Sequence, residues 1–146
     1  MRIRPAAPAD AEAVADLFLA AKAEMTYLPV LHTDAETRSW IRDVALRDLE
    51  VWIAEDDDGQ VVGFAALGGD FLEHLYVHPE AQNHGVGATL LTVAKERRPQ
   101  ALRLWVFQKN VDARRFYERH GFTLARLTDG RDNEEQEPDA LYEWQP

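Results

Sequence analysis

Stretches in which apolar and polar side chains alternate every second residue are interrupted by stretches with helical spacing, and the exchange between the two periods divides the chain into elements. Met1 to Arg4 predicts a first strand, and Asp10 stands where it can cap a helix running to about Ala23. Thr33-x-x-Glu36 has capping-box spacing ahead of a second helix that carries Trp40, Ile41 and Val44. Glu50 to Glu55 and Gln60 to Leu67 are strand-like, joined through Asp56-Asp57-Asp58-Gly59, a hairpin turn signal. Gly68-Gly69 leads into Phe71-Leu72-Glu73-His74-Leu75-Tyr76-Val77, rich in aromatic and branched residues, which stops at His78-Pro79. Ala88 to Lys95 has good helix formers in a helical apolar pattern, and Leu102 to Phe107 reads as a strand. Ala113, Phe116, Tyr117 and His120 follow at i, i+3, i+4, i+7 spacing, with Gly121 as a left-handed stop. A strand from Phe122 to about Leu127 and a last one from Ala140 to Trp144 flank an acidic loop with Glu134, Glu135 and Glu137. Strands and helices alternate through the middle and hairpins lie at both ends. The pattern predicts an α/β fold with a mixed sheet of about six or seven strands, flanked by about four helices on both faces, as one domain over residues 1–146.

The junction between the fourth strand and the next helix, Gln82-Asn83-His84-Gly85-Val86-Gly87, carries candidate chemistry. Two glycines there leave amide N–H groups unshielded, and the first turn of a helix has N–H groups with no internal partner and a positive dipole end. A pyrophosphate fits such a site with little help from charged side chains. A glycine-eased turn is the alternative reading of the hexapeptide alone. Phe116 on its helical stripe reads as core, and so does Tyr117 taken alone, although a buried phenol still needs a partner. A dinucleotide fingerprint would place a third glycine where Leu90 stands, and no Gly-Lys-Ser/Thr of a P-loop is present.

Composition narrows the classes. The 46% hydrophobic and 29% charged residues are ordinary for a globular domain, no apolar run approaches the ~20 residues of a membrane span, and Met1-Arg2-Ile3-Arg4-Pro5 lacks the apolar stretch of a signal peptide. The absence of cysteine excludes disulfides, thiolate metal sites and an acyl-cysteine route, and fits a reducing, cytoplasmic setting. A net charge of −10 argues against a nucleic-acid binder. Any anionic ligand would therefore need local positive charge, for which Lys95, Arg97, Arg98, Lys109, Arg114 and Arg115 are the cluster at hand.

The strand ending Leu75-Tyr76-Val77-His78-Pro79, then Gln82-x-x-Gly85-x-Gly87, then Asn110-x-x-Ala113-x-x-Phe116-Tyr117-Glu118-x-x-Gly121-Phe122, resembles the GNAT superfamily of acyl-CoA-dependent N-acyltransferases along essentially the whole chain. The resemblance implies acetyl-CoA as acyl donor, lying in a wedge where two parallel strands splay apart, and no metal. It implies acetyl transfer to a primary amine of a small molecule or peptide by direct attack through a tetrahedral intermediate. A non-catalytic acyl-CoA-binding regulator on the same fold is the alternative. Cofactor contacts are expected from Leu75, Tyr76, Val77, Gln82, Asn83, His84, Gly85, Val86, Gly87, Ala88, Asn110, Ala113, Phe116 and Tyr117. Tyr117 matches the family's general acid beside the thiolate, and the Val77 amide its donor to the thioester carbonyl. Glu73 falls where some members carry a catalytic glutamate. Period-two alternation places it on a strand face with apolar Leu75 and Val77, which suits a base acting directly or through water, or a structural hydrogen-bonding role. Asn110 can contact the cofactor arm, cap its helix, or both. His84 departs from the family, which usually has Arg or Lys there, and replaces a permanent charge by one titrating near neutrality. Tyr27, His32 and Trp40 are the acceptor-site candidates, with Glu24, Glu134 and Glu135 nearby. Neither nucleic acid nor membrane is expected as a partner, and a homodimer is left open.

Overall fold

Seven strands, β1 (Arg2–Pro5), β2 (Glu50–Glu55), β3 (Val61–Gly68), β4 (Phe71–Val77), β5 (Leu102–Phe107), β6 (Thr123–Leu127) and β7 (Asp139–Trp144), form one sheet in the computed structural model, which describes residues 1–146. Their order is β1-β2-β3-β4-β5-β7-β6, and every neighbouring pair is antiparallel except β4 and β5. Four helices cover it: α1 (Ala11–Ala23), α2 (Asp34–Trp40), α3 (Val86–Arg97) and α4 (Val111–Arg119). This is the mixed sheet with helices on both faces that the hydrophobic periods predict.

Each element has a local cause. In α1 the buried side chains Val14, Leu17, Phe18 and Ala21 recur at helical spacing. Asp10 takes the N-cap position of α1 without a side-chain cap hydrogen bond; its carboxylate is held by the Arg4 guanidinium at 2.8 and 2.9 Å and accepts from the Ala7 N–H at 2.7 Å. The expected capping box does form at α2, where Thr33 Oγ1 accepts from the Glu36 N–H and Glu36 Oε1 from the Thr33 N–H. Helix α2 then runs through a π turn at Ile41–Ala45 into a last turn at Leu46–Asp48. The wider turn keeps Ile41 and Ala45 buried and rotates Val44 outward to 37% exposure, so Val44 is not on the buried stripe. The β2–β3 turn is held by Asp56 Oδ1, which accepts from the N–H groups of Asp58 and Gln60 at 2.9 Å, with Gly59 at φ +78°.

Two cores form, one on each face. Val14, Leu17, Phe18, Ile41, Ile53 and Phe64 fill the space under α1 and α2, while Leu67, Leu72, Leu90, Leu91, Leu104, Tyr117 and Tyr142 fill that under α3 and α4. The far end of α3 is clamped to β2, since Glu50 accepts from Arg97 at 2.6 Å and from Arg98 at 3.1 Å. Burial opposes ionisation of Glu50, but hydrogen bonds from Arg97, Trp52 and Arg98 outweigh it and hold the carboxyl at about 2. The clamp fixes the axis along which the opposite end of α3 meets the β4 loop. No helix of the chain is long and apolar enough to cross a membrane.

Candidate active site

Strands β4 and β5 pair only at their start, at Phe71 opposite Arg103, where the Arg103 N–H donates to Asp70 O at 2.9 Å. Beyond that point β5 continues along β7 and β4 along β3, so the two central strands part company. In an antiparallel ladder the amides of successive residues point to opposite sides. His78 N–H donates to Val62 O, which turns the N–H and C=O groups of Tyr76 and His74 towards β3 and those of Val77 and Leu75 towards β5. Gln108 N–H donates to Pro138 O, and the same alternation turns Trp105 and Phe107 towards β4. The wedge is therefore edged by backbone groups for which the sheet supplies no partner. Gln82 Nε2 reaches back to Val77 O at 3.5 Å, and the Asn110 N–H donates to Phe107 O at 3.0 Å.

The glycine junction lies past the end of β4. Asn83 and Gly85 both take left-handed backbone, at φ +66° and +80°, and Gly85 is the N-cap of α3. The chain thereby turns sharply enough for the first-turn amides of Val86, Gly87 and Ala88 to face outward without helix partners. The Phe116 ring of α4 stands over Gly87, where a Cβ would meet it at 3.5 Å, so α3 and α4 come close beside the wedge. Asn110 caps α4 through Oδ1, accepting from the Ala113 N–H at 3.2 Å. His84 is exposed and shares a surface hollow of about 380 Å³ with Asp56, Asp57 and Glu80, an acidic setting for a phosphate neighbour.

Of the basic cluster, most charges have internal partners. Lys95 donates to His120 O and lies 5.0 Å from the Trp144 ring centroid, Arg97 and Arg98 hold Glu50, Lys109 meets Glu137 at 2.9 Å, and Arg114 donates to the Tyr142 hydroxyl. Arg115 is exposed and makes no polar contact within the chain.

Tyr117 is buried at the α4 side of the wedge, its ring edge-on to Phe116 and Phe122. Its hydroxyl makes no hydrogen bond in the chain and is not sealed from solvent. Burial raises the phenol's pKa, with a smaller contribution from the Tyr76 phenol. It is thus fully protonated at neutral pH.

Glu73 is not on the face carrying Leu75 and Val77. Ala66 pairs with His74 but Leu67 with Leu72, so Glu73 is the extra residue of a β-bulge, and period-two counting fails there. Its side chain lies beside Gly68 and Leu49, on the α1/α2 side, where His74 also packs. It is exposed and partly desolvated, and burial raises its pKa.

That side holds an aromatic layer of Phe18, Trp40, Phe64, His74 and Tyr76, with His74 5.4 Å from Trp40 and Tyr76 5.3 Å from Phe18 between ring centroids. Burial, aided by Lys22, lowers the His74 pKa to about 4. His74 is not among the candidates the sequence offers, although its position two residues before Tyr76 places it on the same strand face. Among the acceptor candidates, Trp40 joins this layer, Tyr27 lies edge-on to Phe107 at 6.2 Å, and His32 stands at the rim, with Nε2 3.1 Å from Glu134 Oε1.

The acidic segment between β6 and β7 is tightly built. Asn133 Nδ2 donates to Glu137 O and Asp139, Gln108 Nε2 to Thr128 O and Asp139 O, and Gln136 Nε2 to Arg131 O and Asn133 O. Gly130 has φ +84°, and a Cβ there would lie 2.3 Å from the Glu137 carbonyl carbon. Gly130→Ala should destabilise the protein by about 2–4 kcal/mol, from the left-handed backbone and the forced displacement of Glu137. The melting temperature should fall by roughly 5–10 °C. Wild-type melting of this variant would mean that the loop yields freely.

A split mixed sheet with unpartnered amides along the split, a helix N-terminus at its mouth and an unengaged phenol at its side is the arrangement that the sequence resemblance implies. The family model for the acetyltransferase (GNAT) domain matches residues 47–124, and the chain belongs to that family. Peptidyl-lysine N-acetyltransferase YiaC of Escherichia coli is 36% identical over 85 residues, 58% of this chain and 57% of YiaC. The chain spans about half the length of the curated relatives it matches. Apo YjaB from Escherichia coli superposes with a TM-score of 0.79 at 24% identity over 98% of this chain and 96% of that one. PaiA N-acetyltransferase from Thermoplasma acidophilum, in complex with coenzyme A, gives 0.72 at 21% identity, over 99% and 98%. No group of three or more His, Cys, Asp or Glu is placed to hold a metal ion.

Proposed function

We propose that this single domain transfers an acetyl group from acetyl-CoA to a primary amine, by direct attack of the amine on the thioester. The observation that carries the reading is the wedge: outward Leu75 and Val77 amides on β4, with the free Tyr117 hydroxyl beside them. Acetyl-CoA would supply the activated acetyl group. The first-turn amides of Val86, Gly87 and Ala88, with the Gln82 to Gly85 turn, suit its pyrophosphate. The β4 amides of Leu75 and Val77 suit its extended arm, whose ladder-like polar groups they can pair, and Asn110, Ala113 and Phe116 line the approach from α4.

Each chemical need has a residue. The Val77 N–H donates to the carbonyl oxygen as negative charge builds on it, and it is already aimed into the wedge, so no reorganisation is required. Tyr117 gives its proton to the departing sulfur; burial keeps that proton in place until a stronger base than water forms beside it. Glu73, on the acceptor side, removes a proton from the amine directly or through water. Tyr76 contributes differently from its β4 neighbours, because its amide is committed to β3 and its phenol turns to the aromatic layer. The printed name of YiaC points to a peptidyl-lysine as acceptor, and Trp40, Tyr27 and His32 lie along the side from which it would enter.

The test is binding and turnover together. At about a hundredfold excess over its dissociation constant, acetyl-CoA should stabilise the fold by roughly 2.7 kcal/mol and raise the melting temperature by about 5–10 °C. Lysine peptides should then release free thiol from it. An unchanged melting curve at millimolar acetyl-CoA would remove the cofactor assignment, whereas binding without thiol release from any amine would favour the non-catalytic regulator.

A further inference from the structure

Three elements on the acceptor side of the wedge each bring an oxygen that accepts no hydrogen bond within the chain. The Tyr27 hydroxyl, from the α1–α2 connection, is buried with no hydrogen-bond partner. The Tyr76 phenol, from β4, is packed edge-on to Phe18 and stacked on His74, and makes no hydrogen bond in the chain. Glu135, from the β6–β7 loop, is half-buried and has no ion-pair partner, although Glu134 is taken by His32 and Glu137 by Lys109. Tyr27 and Glu135 are the ionisable groups whose charge acts on the Tyr76 phenol. Phe107 links the set, since it touches the Tyr27 ring and shares with Glu135 the wall of an open hollow of about 360 Å³.

Leaving the Tyr27 hydroxyl buried without a partner is costly, and the loop that carries Glu135 is too well bonded to move away from it. What satisfies all three is a group with several donors, one positive charge and no acceptor. A primary ammonium has three N–H donors and no lone pair. A neutral hydroxyl or amide would leave the carboxylate uncompensated, and a carboxylate or phosphate would be repelled.

We propose that Tyr27, Tyr76 and Glu135 form a binding site for the ammonium group of the acceptor, which makes a lysine-type primary amine the preferred class over neutral or anionic acceptors. Of the other charges near the site, Lys109 lies over the Tyr27 ring at 5.7 Å and is tied to Glu137, Asp139 is bound by Thr128 and Asn133, Arg126 lies 5.3 Å from the Trp105 ring centroid, and exposed Asp132 on the wall of the hollow adds to its negative charge. Phe107 and Tyr27 provide an apolar passage for the aliphatic stem of the amine. The site deepens the acetyl-transfer reading and rests on it for the identity of the ligand as acceptor.

The experiment titrates Nα-acetyl-L-lysine amide into the CoA-loaded protein and follows binding by isothermal calorimetry, beside steady-state KM and kcat with acetyl-CoA. Glu135→Gln should weaken binding and raise the acceptor KM about tenfold to a hundredfold, as expected for a lost charge-assisted hydrogen bond, with kcat changed much less. Tyr76→Phe and Tyr27→Phe, which keep the rings and the packing, should each weaken binding several-fold. Affinity for CoA should stay the same in all three. If Glu135→Gln binds the lysine amide as tightly as wild type, or if the neutral isostere with a terminal hydroxyl in place of the amine binds equally well, the site is wrong. If the protein turns over no amine yet binds lysine amide in a Glu135-dependent way, the ammonium site stands and the acetyl-transfer reading fails.

Discussion

Replacing Tyr117 with Phe should leave acetyl-CoA affinity unchanged and slow kcat by about 10²- to 10⁴-fold, the usual loss for a general acid. Affinity is preserved because the ring, not the hydroxyl, supplies the packing: Tyr117 touches Phe116 and Phe122 edge-on, and Phe can make both contacts. Stability should not fall, since the hydroxyl has no hydrogen bond in the chain to lose. Turnover suffers because the variant has lost the free hydroxyl on the α4 side of the wedge; the Tyr76 ring is packed in the α1/α2 layer. Single-turnover measurement at saturating acetyl-CoA separates the outcomes. A Phe variant with wild-type kcat would reduce Tyr117 to a core aromatic that happens to carry an oxygen.

Much of this architecture is legible in the chain because its causes are local. The Thr33-x-x-Glu36 box, the Asp56 to Gly59 turn and the Phe116-Tyr117-His120-Gly121 ending each act within a few residues, and each forms as the sequence predicts. The β4 bulge has no such local signature. It arises from how Leu67 and Ala66 register against Leu72 and His74, a pairing between strands, and it moves Glu73 to the other face of the sheet. The π turn at Ile41–Ala45 is likewise unmarked in the local sequence, and it leaves Val44 exposed while Ile41 and Ala45 stay buried.

The wedge is likewise invisible in β4 or β5 alone. It exists because β5 spends its other edge on β7 along its whole length while β4 follows β3, so their divergence is a property of three strand pairings. Charge misleads for a related reason. Six basic residues cluster in the sequence around α3 and α4, but five of them are drawn to Glu50, Glu137, the His120 carbonyl and Tyr142. On the proposed reading, recognition of a cofactor phosphate falls chiefly to backbone amides at the α3 N-terminus, which the left-handed Asn83 and Gly85 turn outward.

Glu73→Gln should cut kcat/KM by about 10²- to 10⁴-fold and remove the acidic limb of its pH profile. Partial burial favours the neutral carboxylic acid, so the Glu73 pKa lies above its ordinary 4.5. A base is useful only when ionised. Below its pKa the group is protonated and idle, so wild-type kcat/KM should climb as pH rises through a value above 4.5 and then level off. The acceptor enters as an ammonium ion, which places its own titration on the alkaline side, near 10.4 for a lysine, well apart from this limb. The folded state is not at risk from the change. Because the folded pKa is raised, ionising Glu73 costs stability rather than adding it, and a neutral Gln at neutral pH removes that cost. A surviving acidic limb in the Gln variant, with kcat/KM near wild type, would show that the bulge presents Glu73 to solvent alone and that water carries the proton away.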